Sequence, residues 1–482
     1  MTDAVKQTLD QRLLWATQNP TLCIYPYVTL DTRYSEFSSE PVYKTCCCSL
    51  DDKIFVPSPG VDPFADIKAQ QLNKQWPEAC WRCKSEETHG GASERVNGFV
   101  GYGEDRLRNL IETQALPEFE LRVKFSNFCN LACRSCVETE SSTWARITNT
   151  PVSKQYEMDI SDSPVHWELI TTTIIEKLPK VEYFFVHFIG GESLVQPGMK
   201  KLLDWMIAQG IASQVYLRVT TALTVRPSYD LMSKLSQFKM VYINLSIDSV
   251  GDNYQYLRWP AKFKKIETNL TTLMNHRPAL KISGGKKFYA PRWRCMISPV
   301  FSLNNIMYVD EFMSYWQRWF NRQHYSLPIR PTNLVDRTQH LDIEALPQTY
   351  RSQVADHLQQ CLEHDIFKQY PDHTRMLYNF LDSTIKELVD RPDNQDLWLK
   401  FLSHTAYFDK KTEQSFAILN KRMYNILTVE DQNKFTAMVD QIDVKKQLFT
   451  AMVDQIDVKK QLFTAREHSV TFFKKINVQS QI

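Results

Sequence analysis

The sequence predicts an α/β chain built on a partial parallel (β/α)6 barrel, with a cysteine-rich segment before it and a helical region after it. Two observations carry that prediction. From residue 121 onward apolar runs recur: Leu121 to Phe125, Tyr183 to Ile189, Val215 to Thr221, Val241 to Ile247, Trp293 to Phe301 and, more weakly, Tyr325 to Arg330. The intervals between them are long enough for helices, as in Lys200 to Met206 and Phe263 to His276, and strand alternating with helix implies βα units and a parallel sheet. The runs are also nearly continuous in apolar residues, which predicts strands buried on both faces. A closed eight-strand barrel needs two more units than the sequence offers, so the barrel is partial.

Taken in order, residues 1–110 read as a loop-rich segment carrying six cysteines, split by Pro57-Ser58-Pro59-Gly60 and closed by the turn residues Thr88 to Ser93. Residues 111–340 hold the barrel. Residues 341–482 turn helical and amphipathic, with Asp356 to His364 and Trp398 to Leu402 as examples. Near the end, Phe435 to Leu448 is repeated without change as Phe449 to Leu462. Two heptads extend a helix by about four turns and return Phe435, Phe449 and Phe463 to nearly one face. Identity at every position reads as an in-frame duplication near an exposed end, without catalytic content.

At 482 residues the chain exceeds what one core supports, so two or more domains are expected. Hydrophobic residues make up 43% and charged residues 23%, as in ordinary globular proteins. Fifty-seven Lys and Arg balance 55 Asp and Glu, so no net field favours nucleic acid or an anionic membrane. The aromatic residues lack a basic stripe and read as core. No apolar segment reads as a signal peptide or a membrane span, which predicts a cytoplasmic protein. The cysteines cluster as Cys46-Cys47-Cys48, Cys80/Cys83 and Cys129/Cys133/Cys136, a pattern that in a cytosolic chain means metal rather than disulfides.

The sharpest signal is Cys129, Cys133 and Cys136 in the spacing C-x3-C-x2-C, directly after a strand-like run. Three thiolates on one tight loop hold three corners of a four-iron cluster and leave the fourth iron open. A zinc site is the alternative, but zinc favours four ligands, and neither a fourth cysteine nor a histidine lies close in sequence. Gly190-Gly191-Glu192 ends the next strand, where paired glycines permit close backbone approach and a carboxylate can accept from an ammonium group. Thr220 and Thr221 end the third strand, Ser246 and Asp248 the fourth; polar groups at the mouth of a parallel barrel are placed to bind ligands, or else serve as turn and cap residues. In the N-terminal segment Cys80-Trp81-Arg82-Cys83 has the C-x2-C spacing of two ligands sharing one centre, completed by Cys23 and by Cys47 or one of its neighbours Cys46 and Cys48. A zinc ion with four cysteines satisfies the same spacing. Cys295 and Cys361 read as buried free thiols, and His187 as a satisfied histidine in a strand.

The C-x3-C-x2-C loop, the glycine pair with its glutamate and the N-terminal cysteine pattern together resemble the radical S-adenosylmethionine (SAM) superfamily, specifically its twitch domain-containing proteins. The resemblance implies that Cys129, Cys133 and Cys136 hold a catalytic 4Fe-4S cluster and that Gly190, Gly191 and Glu192 receive the SAM amino group. It further implies that Thr220, Thr221, Ser246 and Asp248 hold the SAM ribose and carboxylate, and that Arg258, within Asn253 to Pro260, lies near SAM. Cys23, Cys47, Cys80 and Cys83 would carry a second, auxiliary 4Fe-4S cluster. The activity implied is reductive cleavage of SAM to a 5′-deoxyadenosyl radical that abstracts hydrogen, with a peptide or protein as the preferred substrate class and a flavodoxin or ferredoxin as electron donor. Ser135 departs from the family pattern, which has a larger apolar or aromatic residue before the third cysteine where it packs near the adenine. The rival from another class is a non-catalytic zinc or iron–sulfur scaffold, which has no reason to keep a SAM pocket in register with the cysteine loop.

Overall fold

The computed structural model describes residues 16, 18–34, 41–46, 49, 62–88, 93–96, 98, 104–113, 117–149, 159–275, 293–323, 326–332, 336–390 and 392–442. In the N-terminal segment these comprise helix α1 (Tyr25–Val28), strands β1 (Thr29–Tyr34) and β2 (Pro41–Lys44), and helices α2 (Ala65–Leu72), α3 (Trp81–Thr88) and α4 (Glu104–Thr113). The barrel follows with β3 (Glu118–Lys124), β4 (Ala132–Cys133), α5 (Ser142–Thr148), α6 (Pro164–Lys177), β5 (Tyr183–Ile189), α7 (Pro197–Ala208), β6 (Val215–Thr221), α8 (Tyr229–Leu235) and β7 (Met240–Leu245). It continues through α9 (Gly251–Leu257), β8 (Arg258–Trp259), α10 (Phe263–Asn275), β9 (Trp293–Ile297) and α11 (Val309–Gln323).

The main sheet runs β2-β1-β3-β5-β6-β7-β9, parallel throughout except for the β1/β2 pair, while β4 and β8 form a separate antiparallel pair. From β3 to β9 the order follows the chain without reversal, so right-handed crossovers return on one side and the helices collect on one face. Leu121 and Val123, Val186 and Phe188, Leu217 and Val219, Val241 and Ile243, and Trp293 and Cys295 are buried in the core beneath those helices. The fold is an α/β partial parallel barrel with a helical C-terminal region.

Three expectations are corrected. The strands are not apolar on both faces: alternate residues form one rung across the open face, Arg122, His187, Arg218, Tyr242 and Arg294, in register from β3 to β9. The period of two sends these side chains away from the helices. The sixth run, Tyr325 to Arg330, is not a strand; among its described residues only the isolated bridge Ile297↔Ile329 forms, followed by Val300↔Thr332. Pro328 lies inside the run and Pro331 follows it, and neither can donate to a ladder. The sixth parallel place belongs instead to β1, on the opposite side of the sheet between β3 and the edge strand β2, so the N-terminal segment is less loop-rich than its sequence suggests.

Beyond the barrel lie α12 (Gln348–Leu362), α13 (Asp365–Gln369), α14 (Pro371–Asp390), α15 (Gln395–Thr412), α16 (Phe416–Leu419), α17 (Lys421–Ile426) and α18 (Val429–Gln441). The helix expected over Asp356 to His364 ends earlier, at Leu362, because the His364 ring accepts from Ile366 N–H at 3.2 Å and starts α13. Val354, Trp398, Phe401 and Phe416 join the core that underlies the sheet, while Ile24, Tyr27, Val28 and Leu110 form a small separate core. Phe435, the first residue of the repeat, packs on Phe416 with ring centroids 5.3 Å apart. The second copy, Phe449 to Leu462, lies outside the described residues.

Candidate active site

The cysteine loop leaves the C-terminal end of β3. Cys129, Cys133 and Cys136 gather with Leu131, Ala222 and Ala261 in one small cluster, all three as free thiols. Helix α5 fixes the loop from below, because Ser141 caps it by accepting from Trp144 N–H and the next two hydroxyls face the loop. Cys129 N–H donates to Ser142 Oγ at 3.1 Å, Thr143 Oγ1 donates to the Cys129 carbonyl at 2.7 Å, and Trp144 Nε1 donates to the Cys133 carbonyl at 2.9 Å. Burial pushes the Cys129 thiol up to about 12, with Cys133 adding to the effect. Burial also raises Cys133, but the Arg258 guanidinium holds it to about 11. Cys136 is raised by burial and by its two neighbours. Protonated thiols so placed bind metal with proton release.

Gly190-Gly191-Glu192 is stapled to this loop. Gly191 has φ +49°, and a Cβ there would stand 2.2 Å from the Phe128 carbonyl oxygen, so only glycine admits the approach. Glu192 N–H donates to that carbonyl at 2.9 Å. The Glu192 carboxylate is buried and engaged on both oxygens. Oε1 accepts from Thr221 Oγ1 at 2.5 Å and Leu194 N–H at 3.3 Å; Oε2 accepts from Ala222 N–H at 3.0 Å and Thr224 Oγ1 at 3.4 Å. It ties the end of β5 to the end of β6, and burial raises its pKa while these donors oppose the rise.

The remaining strand-end residues divide by face. Thr220 points to the open face, its hydroxyl 3.1 Å from His187 Nε2, while Thr221 turns to Glu192. His187 is satisfied, as its sequence position suggests, with Nδ1 2.9 Å from Glu120. Burial alone would raise the Glu120 carboxyl, but Arg122, Arg218 and His187 hold it well below the usual range. Ser246 is half-buried at the mouth, and its N–H donates to the Thr221 carbonyl at 2.8 Å. Asp248 and Arg258 form a buried fork, Nε to Oδ2 at 2.7 Å and Nη2 to Oδ1 at 2.9 Å, and Arg258 Nη1 lies 3.6 Å from Cys133 Sγ. The cysteine loop, the glycine turn and Thr221, Asp248 and Arg258 thus meet at one end of the sheet, and Thr220 stands below it on the open face.

The N-terminal cysteines form a second constellation around Cys46. Cys23, Cys46, Cys80 and Cys83 line one cavity with Tyr25, Gln71, Glu94 and Arg95. Burial raises the Cys23 thiol, and Cys46, Cys80 and Cys83 raise it further; burial takes Cys80 up to about 12, with Cys83 contributing. Cys47 and Cys48 lie outside the described residues. Among the described residues, no three His, Cys, Asp or Glu side chains are gathered tightly enough to hold a single metal ion.

Sequence reasoning missed Arg134. Lying inside the loop, it pairs with Asp409 of α15, donates from Nε to the Tyr256 carbonyl at 2.8 Å, and stacks over Tyr256 at 3.5 Å and Phe408 at 4.4 Å. No local signal marks a partner 275 residues away. The run Ser141-Ser142-Thr143 just after the loop, by contrast, was a visible cap signal.

No family model and no curated protein matches the sequence. Among solved structures the chain is similar to native anSMEcpe with bound AdoMet, at 15% identity over 52% of this chain and 62% of that one, TM-score 0.36. It is also similar to hexahistidine-tagged anSMEcpe with bound AdoMet, at 14% identity over 67% and 98%, TM-score 0.36. A third is Streptococcus suis SuiB bound to S-adenosylmethionine, at 13% identity over 71% and 73%, TM-score 0.29. The chain spans less than two thirds of the length of the first of these. Similarity of this extent assigns no ligand and no residue role to this chain.

Proposed function

We propose that this chain is a radical SAM enzyme of the twitch-domain kind. One observation carries the reading: three free thiols of a single loop converge at the C-terminal end of a parallel sheet, and among the described residues no fourth thiol joins them. Three thiols and one open corner are the donor set of a site-differentiated four-iron cluster. Cys129, Cys133 and Cys136 would hold that cluster; with SAM on its open iron it would supply reductive cleavage of the sulfonium and a 5′-deoxyadenosyl radical for hydrogen abstraction.

The chain's own residues then have separable tasks. Gly191 lets the β5 turn lie against the loop, and Glu192 closes the mouth by bonding across to β6, which leaves the SAM amino group to the turn that Glu192 fixes. Ser246 stands half-buried at the mouth and would meet the ribose or carboxylate of SAM there, while Thr220 is held by His187 on the open face below. The open face, with Arg122, His187, Arg218, Tyr242 and Arg294 in one rung, offers charged and hydrogen-bonding groups suited to a peptide. Cys23, Cys46, Cys80 and Cys83 fit a closed auxiliary cluster by their donor chemistry, with Cys46 the described thiol of its run that lines the cavity. A flavodoxin or ferredoxin would deliver the electron.

Anaerobic reconstitution with iron and sulfide counting, then addition of SAM and dithionite, tests the proposal. About eight irons per chain and release of 5′-deoxyadenosine are expected. About four irons with one zinc would give the N-terminal thiols to zinc and leave the catalytic reading standing. An iron-replete protein that makes no 5′-deoxyadenosine would sink it.

A further inference from the structure

We infer that Arg258 sets the reduction potential of the cluster on the cysteine loop by donating a charge-assisted hydrogen bond to the Cys133 sulfur, with Asp248 as its positioning residue. The inference rests on the four-iron reading above and gives Arg258 a task other than holding SAM. Register supplies the first observation: β4 and β8 pair Cys133 with Arg258 directly, so the backbone itself brings guanidinium and thiol to the same place. Geometry supplies the second. Arg258 spends Nε and Nη2 on the two oxygens of Asp248, which leaves Nη1 aimed at Cys133 Sγ, 3.6 Å away. The fork is itself anchored, since Asp248 Oδ1 accepts from Val300 N–H at 3.0 Å and the Asp248 carbonyl accepts from Asn305 Nδ2 at 2.8 Å. Arg258, Asp248 and Cys133 are all buried, so solvent screens their interaction little.

Hydrogen bonds to the cysteine sulfurs are among the groups that set an iron–sulfur potential. The reduced cluster carries one more negative charge than the oxidised one, so a cationic donor on a ligand sulfur favours reduction and raises the potential. Asp248 is bonded to the guanidinium and not to the sulfur, so it fixes the donor's direction while offsetting only part of its field.

The test is a potentiometric titration of the anaerobically reconstituted protein with dithionite, read by EPR of the reduced cluster, comparing the parent with Arg258→Lys and Arg258→Gln. At a fixed solution potential the oxidised-to-reduced ratio should rise about tenfold in Arg258→Gln, equivalent to about 59 mV for a one-electron couple. Arg258→Lys keeps the charge but cannot span Asp248 and Cys133 together, and should rise less. Iron content and the SAM dissociation constant are measured beside the potential, so that a shift is read from protein that keeps its iron. A parental potential in either variant that keeps its iron overturns the inference, as does a variant whose sole change is weaker SAM binding. If Arg258→Gln sheds iron, Arg258→Lys decides by the same criteria. A parent that takes up no iron takes down the cofactor reading and this inference together; an unchanged potential with SAM cleavage intact takes down this inference alone.

Discussion

Glu192 illustrates how a residue picked out by motif acquires a different task in three dimensions. Its carboxylate accepts from Thr221, Thr224 and two backbone N–H groups in a buried site. Removing it strands those donors, so Glu192→Ala should cost about 1–3 kcal/mol in a urea titration and weaken SAM binding through loss of the mouth's shape. A variant that binds SAM poorly yet keeps the parental urea midpoint would instead put the carboxylate on the SAM ammonium. The thiols divide just as sharply. Cys133→Ala should lower the iron content from about eight to about four per chain and abolish 5′-deoxyadenosine release, whereas Cys295→Ala, on the helix-facing side of β9, should leave both at parental levels by iron assay and product chromatography.

At the scale of elements, the cysteine loop is held from both sides of the chain. Helix α5 follows it immediately, while α15 reaches it from far downstream through Asp409, which accepts from Arg134 and from Phe416 N–H at 2.5 Å. Breaking a buried ion pair by removing one partner leaves an uncompensated charge. Asp409→Ala should therefore cost about 3–5 kcal/mol by denaturant unfolding and lower iron retention. A double-mutant cycle with Arg134→Met should recover part of that loss, because both charges then disappear together. Additive losses would show that the two residues do not act through each other. The tandem repeat belongs to the same scale: its first copy docks Phe435 on the core, so removing residues 449–462 should leave the melting temperature and iron content unchanged.

At the scale of the whole molecule, acid should destabilise the fold in two windows. Burial lowers His340 to about 4 and His166 to about 4, and it also lowers His187 and His404. A histidine with a depressed folded pKa binds fewer protons folded than unfolded, so its contribution is complete above about pH 6.5 and is lost as pH falls toward its folded value. Each such group steepens the fall by at most about 1.4 kcal/mol per pH unit. Glu120 acts below this window: its pKa is depressed by Arg122, Arg218 and His187 against the cost of burial, so its contribution is complete above about pH 4.3 and declines below it. Urea midpoints at pH 7.5, 5.5 and 3.5 should fall in that order, and Glu120→Gln should flatten the last interval. A midpoint that rises on acidification would reverse the sign of the argument.

The C-x3-C-x2-C spacing, the strand rhythm from β3 to β9 and the glycine turn after β5 were all legible in the chain, because each depends on residues a few positions apart. Spacing along a strand or loop is set by covalent geometry and side-chain period, which the sequence states directly. Only the tertiary structure decided that β1 joins the sheet beside β3, that Cys46 lines the cavity with Cys23, Cys80 and Cys83, that Arg134 meets Asp409, and that Arg258 faces Cys133. Those partners lie tens to hundreds of residues apart, and no local pattern distinguishes a carboxylate or guanidinium bound for a buried pair from one bound for water. The choice is made by packing, since a polar group can enter the interior only where a partner is already held to receive it.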